Sequence, residues 1–189
     1  IVFWNIATGN IDKDISGLDN QGICFAFSPV TKSDPNGGRY LAYANGKKII
    51  VRDMQINSNL KEYPWHNQNI VSLAWKPDAR FIASHSDNGE IRVWDVETLQ
   101  NKVVFNDYHG GFDNYYIDKL EFIDNGTKIA EKGEKQIKIY DAETGQKLKW
   151  YDKYKTLSDV TFSPVENSFI TAGDKKMYLW NIKNADNKY

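Results

Sequence analysis

Residues 70–105 read IVSLAWKPDARFIASHSDNGEIRVWDVETLQNKVVF, four short apolar runs punctuated by turns. IVSLAW (70–75) stops at Lys76-Pro77-Asp78, and RFIASHS (80–86) runs into Asp87-Asn88-Gly89. EIRVWD (90–95) and NKVVF (101–105) complete the set. Runs of this length, bounded by Pro, Asn, Asp and Gly, are strands, and their short connections make them an antiparallel meander. Upstream lie GICFAF (22–27), RYLAYA (39–44), KKIIVRD (47–53) and LKEYPW (60–65), with an Asn45-Gly46 hairpin turn between the second and third. Pro64 cannot donate to a ladder, so the fourth strand is expected at the sheet edge. Downstream come KLEFI (119–123), KIAEK (128–132), QIKIYD (136–141) and KLKWY (147–151). SDVTF (158–162), SFITAG (168–173) and MYLWN (177–181) follow, and after them a polar tail.

Third strands end in an aromatic or arginine followed at once by Asp or Asn. The pairs are Trp4-Asn5, Arg52-Asp53, Trp94-Asp95, Tyr140-Asp141 and Trp180-Asn181, spaced by 48, 42, 46 and 40 residues. A several-stranded repeat of this period is the signature of a β-propeller. The expected fold class is therefore all-β: a propeller of four-stranded antiparallel blades, four to five of them here, belonging to a larger ring.

Composition narrows the functional classes. With 24 basic and 25 acidic residues the net charge is −1, which removes the long-range field of a nucleic-acid binder. Lys outnumbers Arg twenty to four, leaving few residues for bidentate readout of phosphate or guanine. Hydrophobic residues make up 41%, enough for a packed core. The single Cys24 excludes an intrachain disulfide and fits a reducing, intracellular and cytoplasmic setting. No apolar stretch approaches the roughly 20 residues of a membrane span. The chain opens within a strand and without an initiator Met, as a segment of something longer would.

These motifs resemble the WD-repeat β-propeller family along essentially the whole chain. The resemblance rests on the aromatic-Asp strand ending, as in VWD at 93–95. It also rests on the turns at Phe27-Ser28-Pro29, Trp75-Lys76-Pro77 and Phe162-Ser163-Pro164, and on Ala7-Thr8-Gly9 and Glu143-Thr144-Gly145. The family's buried set of His, Ser or Thr, Asp and Trp maps here onto His66, Ser84, Asn88 and Trp94, followed by Asp95. Asn88 departs from the acid of that pattern. The last copy keeps Thr171, Asp174 and Trp180, with Lys153 in place of His, and the first full copy has Gly17-Leu18 in place of Gly-His.

By the family's strand order, residues 1–17 and 156–189 are blade remnants, and 18–66, 67–112 and 113–155 are full blades. That makes 17 strands, with three in the last blade, against 16 for a closed ring of four blades. The expectation is an open array whose uncovered ends call for further blades in the same chain or in a partner chain.

Two connections exceed what a turn requires. Thr31–Arg39 is a Pro-, Asn- and Gly-containing insertion, read as a surface loop. The other, residues 106–116, holds Tyr108, His109, Phe112, Tyr115 and Tyr116. The resemblance places it on the top face, where partners of the family dock, beside His85 and Asp87. Aromatic residues carry much of the energy of protein interfaces; some of these rings could equally cover the blade junction or begin the next strand. The three histidines are scattered and no His-x-x-x-His spacing exists, so no catalytic constellation, metal site or cofactor site is expected. The resemblance implies a non-catalytic protein–protein interaction scaffold. Alternatives are a ligand-sensing or regulatory domain of a multidomain signalling ATPase and a cilium- or microtubule-associated scaffold.

Overall fold

The computed structural model describes residues 1–18, 24–63, 66–106, 117–133, 135–151, 157–163, 168–182 and 187–188. Among them lie eighteen strands in five antiparallel sheets. The first sheet pairs β1 (Val2–Trp4) with β2 (Ile11–Asp14). The next is β3 (Phe25–Phe27), β4 (Tyr40–Asn45), β5 (Lys48–Asp53) and β6 (Ser58–Tyr63). Then come β7 (Ile70–Trp75), β8 (Phe81–Ser86), β9 (Glu90–Asp95) and β10 (Asn101–Asn106). The fourth sheet holds β11 (Ile117–Ile123), β12 (Lys128–Gly133), β13 (Ile137–Asp141) and β14 (Lys147–Tyr151). The last holds β15 (Asp159–Phe162), β16 (Ser168–Gly173), β17 (Lys176–Asn181) and β18 (Asn187–Lys188). Each four-stranded sheet is an unbroken meander in chain order, the blade of a propeller.

Three expectations are corrected. The polar tail supplies β18, which pairs with Leu179 and Trp180, so the last sheet has four strands and the total is eighteen, not seventeen. The first strand of the second sheet covers only Phe25–Phe27; residues 19–23 lie outside the described set. The strand read as 60–65 runs from Ser58 to Tyr63, at the sheet edge, and Pro64 lies outside the described residues.

The core sits between the sheets, in four layers. Strand alternation divides each of the three middle sheets between two of them: Leu41 and Tyr43 of β4 pack toward the first sheet, while Ala42 and Ala44 pack toward β7–β9. Ile82 of β8 faces the second sheet, and Phe81 and Ala83 face the fourth. Among the described residues no layer joins the first sheet to the last. Trp4 is 62% exposed on the first sheet, and Ile170, Met177 and Leu179 are exposed on the last.

Three of the four junctions share one interlock. The last residue of an outer strand, or the last but one, packs its ring on the third-strand aromatic of the next blade. Tyr63 meets Trp94 at 5.8 Å, Phe105 meets Tyr140 at 5.0 Å, and Tyr151 meets Trp180 at 5.2 Å between centroids. Aromatic pairs of this kind add about 0.5–1.5 kcal/mol beyond the area they bury. Register explains the regularity, because Tyr63, Phe105 and Tyr151 each pair across the ladder with an isoleucine: Ile49, Ile91 and Ile137. The first junction lacks the rings. Ile15 and Arg52 stand where the others carry aromatics, and a cavity of about 360 Å³ opens beside Asp14, Tyr43, Asn45 and Asn59.

Gly145 shows how tightly the interlock is made. Its φ of +73° suits glycine, and a Cβ there would lie 2.5 Å from Phe105 Cδ1. Phe105→Ala is expected to cost about 3 kcal/mol. Gly145→Ala should be costly alone but drop to the backbone strain of about 1–2 kcal/mol in the Phe105→Ala background. A double-mutant cycle in urea checks this; strictly additive costs would show that the ring does not set the limit at Gly145.

Candidate functional site

The acid or amide at the end of the third strand has the same local task in the first four sheets. Asp53 Oδ1 accepts the N–H groups of Gln55 and Ile56 at 2.8 and 3.3 Å. Asp95 Oδ1 accepts those of Glu97 and Thr98, both at 2.9 Å. Asp141 Oδ1 accepts those of Glu143 and Thr144 at 3.0 and 2.8 Å. Asn5 does the same for Ala7 and Thr8 at 3.0 and 3.1 Å. Carboxylates so surrounded by donors are stabilised in the charged form. The Thr98 N–H chiefly holds Asp95 below the usual carboxylate range, and the Thr144 hydroxyl chiefly does so for Asp141. Burial alone would raise Asp53, but the Gln55 N–H, the Arg39 guanidinium and the Ile56 N–H together bring it down. Arg39 Nη2 lies 3.1 Å and Arg80 Nε 3.3 Å from the second oxygen of its own blade's Asp. These pairs are turn-builders.

Inside the blade β7–β10, Trp94 Nε1 donates to Ser84 Oγ at 2.8 Å, and His66 Nε2 lies 2.6 Å from the same oxygen. All three residues are buried. The acid of the set is Glu90, two residues beyond the expected Asn88: Glu90 Oε1 lies 2.8 Å from His66 Nδ1, off the hydrogen-bond direction, and accepts from Arg92 Nε at 2.6 Å. Asn88 instead shapes the turn, its Oδ1 accepting from Ser86 Oγ at 2.7 Å. An acid at the first position of a strand that must be buried was the available signal for Glu90. Burial, together with the Arg92 charge, pushes His66 down to about 4 despite the pull of Glu90.

Ladder register identifies the same site in the other blades. Thr171 takes the place of Ser84 and accepts Trp180 Nε1 at 2.8 Å; Asp174 lies in the following turn at φ 52°. Glu131 takes that place in the fourth sheet, where Tyr140 Oη donates to it at 2.8 Å and Lys138 Nζ lies 3.5 Å away, both partners buried. Tyr43 takes it in the second sheet, opposite Ile50.

The expected contact surface divides. Tyr108, His109, Phe112, Tyr115 and Tyr116 lie outside the described residues. His85 is corrected: it faces inward from β8 and is 1% exposed, so its ring offers no open surface. Asp87 is exposed in the β8–β9 turn, its N–H bonded to the Asn69 carbonyl. Burial raises the Cys24 thiol to about 12, which leaves it a neutral packing group. Among the described residues no three His, Cys, Asp or Glu side chains are grouped to hold a metal ion, and no helix is long and apolar enough to cross a membrane.

The family model "WD domain, G-beta repeat" matches residues 57–95 and 146–181. Each match begins in or beside an outer strand and ends with the third strand of the next blade, so the sequence repeat straddles the interlock. Over those residues the chain carries WD repeats, set in a fold of propeller blades. It is 24% identical over 185 residues to the "Eukaryotic translation initiation factor 3 subunit I" of Drosophila willistoni, covering 90% of this chain and 53% of the relative. It is 30% identical over 97 residues to the "Apoptotic protease-activating factor 1" of Rattus norvegicus, covering 51% of this chain and 7% of the relative. A chain in the "Crystal Structure of Mitotic Checkpoint Complex" superposes with a TM-score of 0.75 at 17% identity, over 98% of this chain and 57% of that one. The chain thus spans about half the length of the first relative and of the solved structure.

A pH experiment tests the buried set. A histidine lowered from 6.5 to about 4 on folding gives stability that is complete above pH 6.5 and is lost as the pH falls toward 4. The lowered aspartates act at more acid pH, losing their contribution as the pH falls from the unfolded value of 3.8 through their folded values. Urea midpoints should therefore fall in two stages, and His66→Gln should flatten the first while leaving the second. An unchanged first stage in the variant would remove His66 from the set.

Proposed function

We propose that this WD-repeat propeller is a non-catalytic protein–protein interaction scaffold, a rigid platform within a larger protein or complex. The observation that carries the reading is the interlock, repeated at three junctions, which fixes the blades and hence the angles at which their loops are offered. Among the described residues the lowered aspartates serve turns and His66 serves a blade core. The name of one relative as a subunit, and the place of the structural neighbour in a complex, support the same reading.

Partners are other proteins, and the top-face connection holding Tyr108, His109, Phe112, Tyr115 and Tyr116, with Asp87 beside it, is the surface assigned to them. The uncovered end faces suit further propeller blades, in the same chain or a partner chain. The setting assigned is intracellular and cytoplasmic, where a free, partly buried thiol persists. A second reading, a regulatory segment of a much longer multidomain protein, has the support of a relative matched over only 7% of its length.

Capture from a lysate of the source cells, with the chain immobilised, checks the surface. Tyr108→Ala, Phe112→Ala and Asp87→Ala combined should lose most captured protein, since central interface aromatics each contribute about 2 kcal/mol or more. An unchanged set of captured proteins would remove this loop from the interface, and the absence of any captured protein would count against the scaffold itself.

A further inference from the structure

The junction between β3–β6 and β7–β10 and the one after it follow the same plan but are filled differently at one end. In the later junction the Phe81 ring carries two lysines, with Lys76 Nζ 4.9 Å and Lys102 Nζ 4.7 Å from its centroid. Both ammonium groups approach one carboxylate of the next blade, Glu143, at 3.9 and 2.5 Å.

Ladder register puts Tyr40 in the place of Phe81, Ser28 in that of Lys76 and Leu60 in that of Lys102. The shared Asx turn puts Glu97 in the place of Glu143. The earlier junction thus keeps the acid, the ring and the arginine on it, Arg39 lying 5.0 Å from the Tyr40 centroid as Arg80 lies 5.3 Å from that of Phe81, while both lysines are missing. Where they would lie, a groove of about 470 Å³ runs over Tyr40 and Leu60 to Glu97. Glu97 engages its backbone N–H with Asp95 and its carbonyl with Lys61, and its carboxylate pairs with no cation among the described residues.

The inserted loop walls the groove and is itself well bonded. Thr31 and Gly37 donate their N–H groups to the Asp34 carbonyl at 2.9 and 3.1 Å, and the Arg39 N–H donates to Asp34 Oδ2 at 3.0 Å. The cations already present are committed. Lys61 Nζ donates to the Val96 and Glu97 carbonyls at 2.6 and 3.0 Å, and Arg80 is paired with Asp95. Asp34 and Asp78 are also on the lining, Asp78 already 3.5 Å from Lys76 Nζ, so the vacant space is apolar and aromatic below with Glu97 as the unpaired acid at its rim.

We propose that this groove receives a lysine or arginine side chain of a partner protein, its stem along Leu60 and Tyr40 and its cation at Glu97, as Lys76 and Lys102 lie on Phe81 and Glu143 one blade further on. The inference rests on the scaffold reading for the existence of a partner and adds the chemistry by which one face selects it. Aromatic and carboxylate contacts together discriminate a cation from an uncharged isostere.

The test titrates the isotope-labelled 189-residue chain with acetyl-Gly-Ala-Lys-Ala-Gly-amide and with the same peptide carrying norleucine for lysine. The lysine peptide should shift the amide signals of Tyr40, Leu60 and Glu97, and the norleucine peptide should bind about tenfold more weakly. Glu97→Gln should weaken the lysine peptide roughly fivefold. Leu60→Lys, which installs the next junction's residue at an exposed site, should abolish the shifts with no loss of thermal stability. Equal binding of the two peptides, no shift at these residues, or a Leu60→Lys variant that still binds would overturn the assignment. If that happens while the wild-type chain still captures proteins through its top-face loop, the groove falls and the scaffold stands.

Discussion

The packing of one outer-strand aromatic on the next blade's third-strand aromatic is the contact on which the rest of this structure depends. A four-stranded sheet with two apolar faces cannot be stable alone; each face must be covered by a neighbour. The ring pairs Tyr63–Trp94, Phe105–Tyr140 and Tyr151–Trp180 fix how far each sheet is turned against the next. Once that angle is set, the alternating residues of β4, β8 and β13 fall into the correct layers and the turns are carried to the two ends of the array. Stability in such a stack is close to a sum over blades and junctions.

A single backbone position shows how this constraint leaves freedom elsewhere. Opposite the third-strand aromatic's neighbourhood stand Ser84, Glu131, Thr171 and Tyr43 in successive solutions to the same problem. Ser84 and Thr171 accept an indole N–H, each such bond contributing about 1 kcal/mol net. Glu131 makes a buried bond to Tyr140 and a buried ion pair with Lys138, whose Coulomb gain must offset a large desolvation cost. In the blades of Ser84, Glu131 and Thr171 the ring packing is kept while the polar chemistry beneath it varies.

Much of this was legible in the chain itself. Strand existence, the meander order and the rotational equivalence of the aromatic-acid pairs follow from alternation and turn residues, because those are local properties. The bounds of β7, β9, β14 and β16 agree with the pattern to the residue. What was missed is non-local. The interlocking rings sit eleven residues after the residue that precedes each third-strand Asp, from Arg52 to Tyr63, Trp94 to Phe105 and Tyr140 to Tyr151. That interval is regular, but only the packing of separate blades gives it meaning. Glu90 is hidden in the sequence because the family pattern points to Asn88, and the place of His85 next to a turn does not reveal that its side chain is buried. The two-residue β18 lies in a polar segment without periodicity, where pairing to β17 and not composition creates the strand.

The contact between the opening ribbon and its neighbour behaves differently from those that follow. Arg52 spends its guanidinium on Asn57 and Asn59, Ile15 supplies only aliphatic bulk, and the space between them is hollow. Under mechanical load this boundary is the fuse: tension on the N-terminal ribbon would peel it away at low force, while the three ring-locked boundaries behind it held as one body.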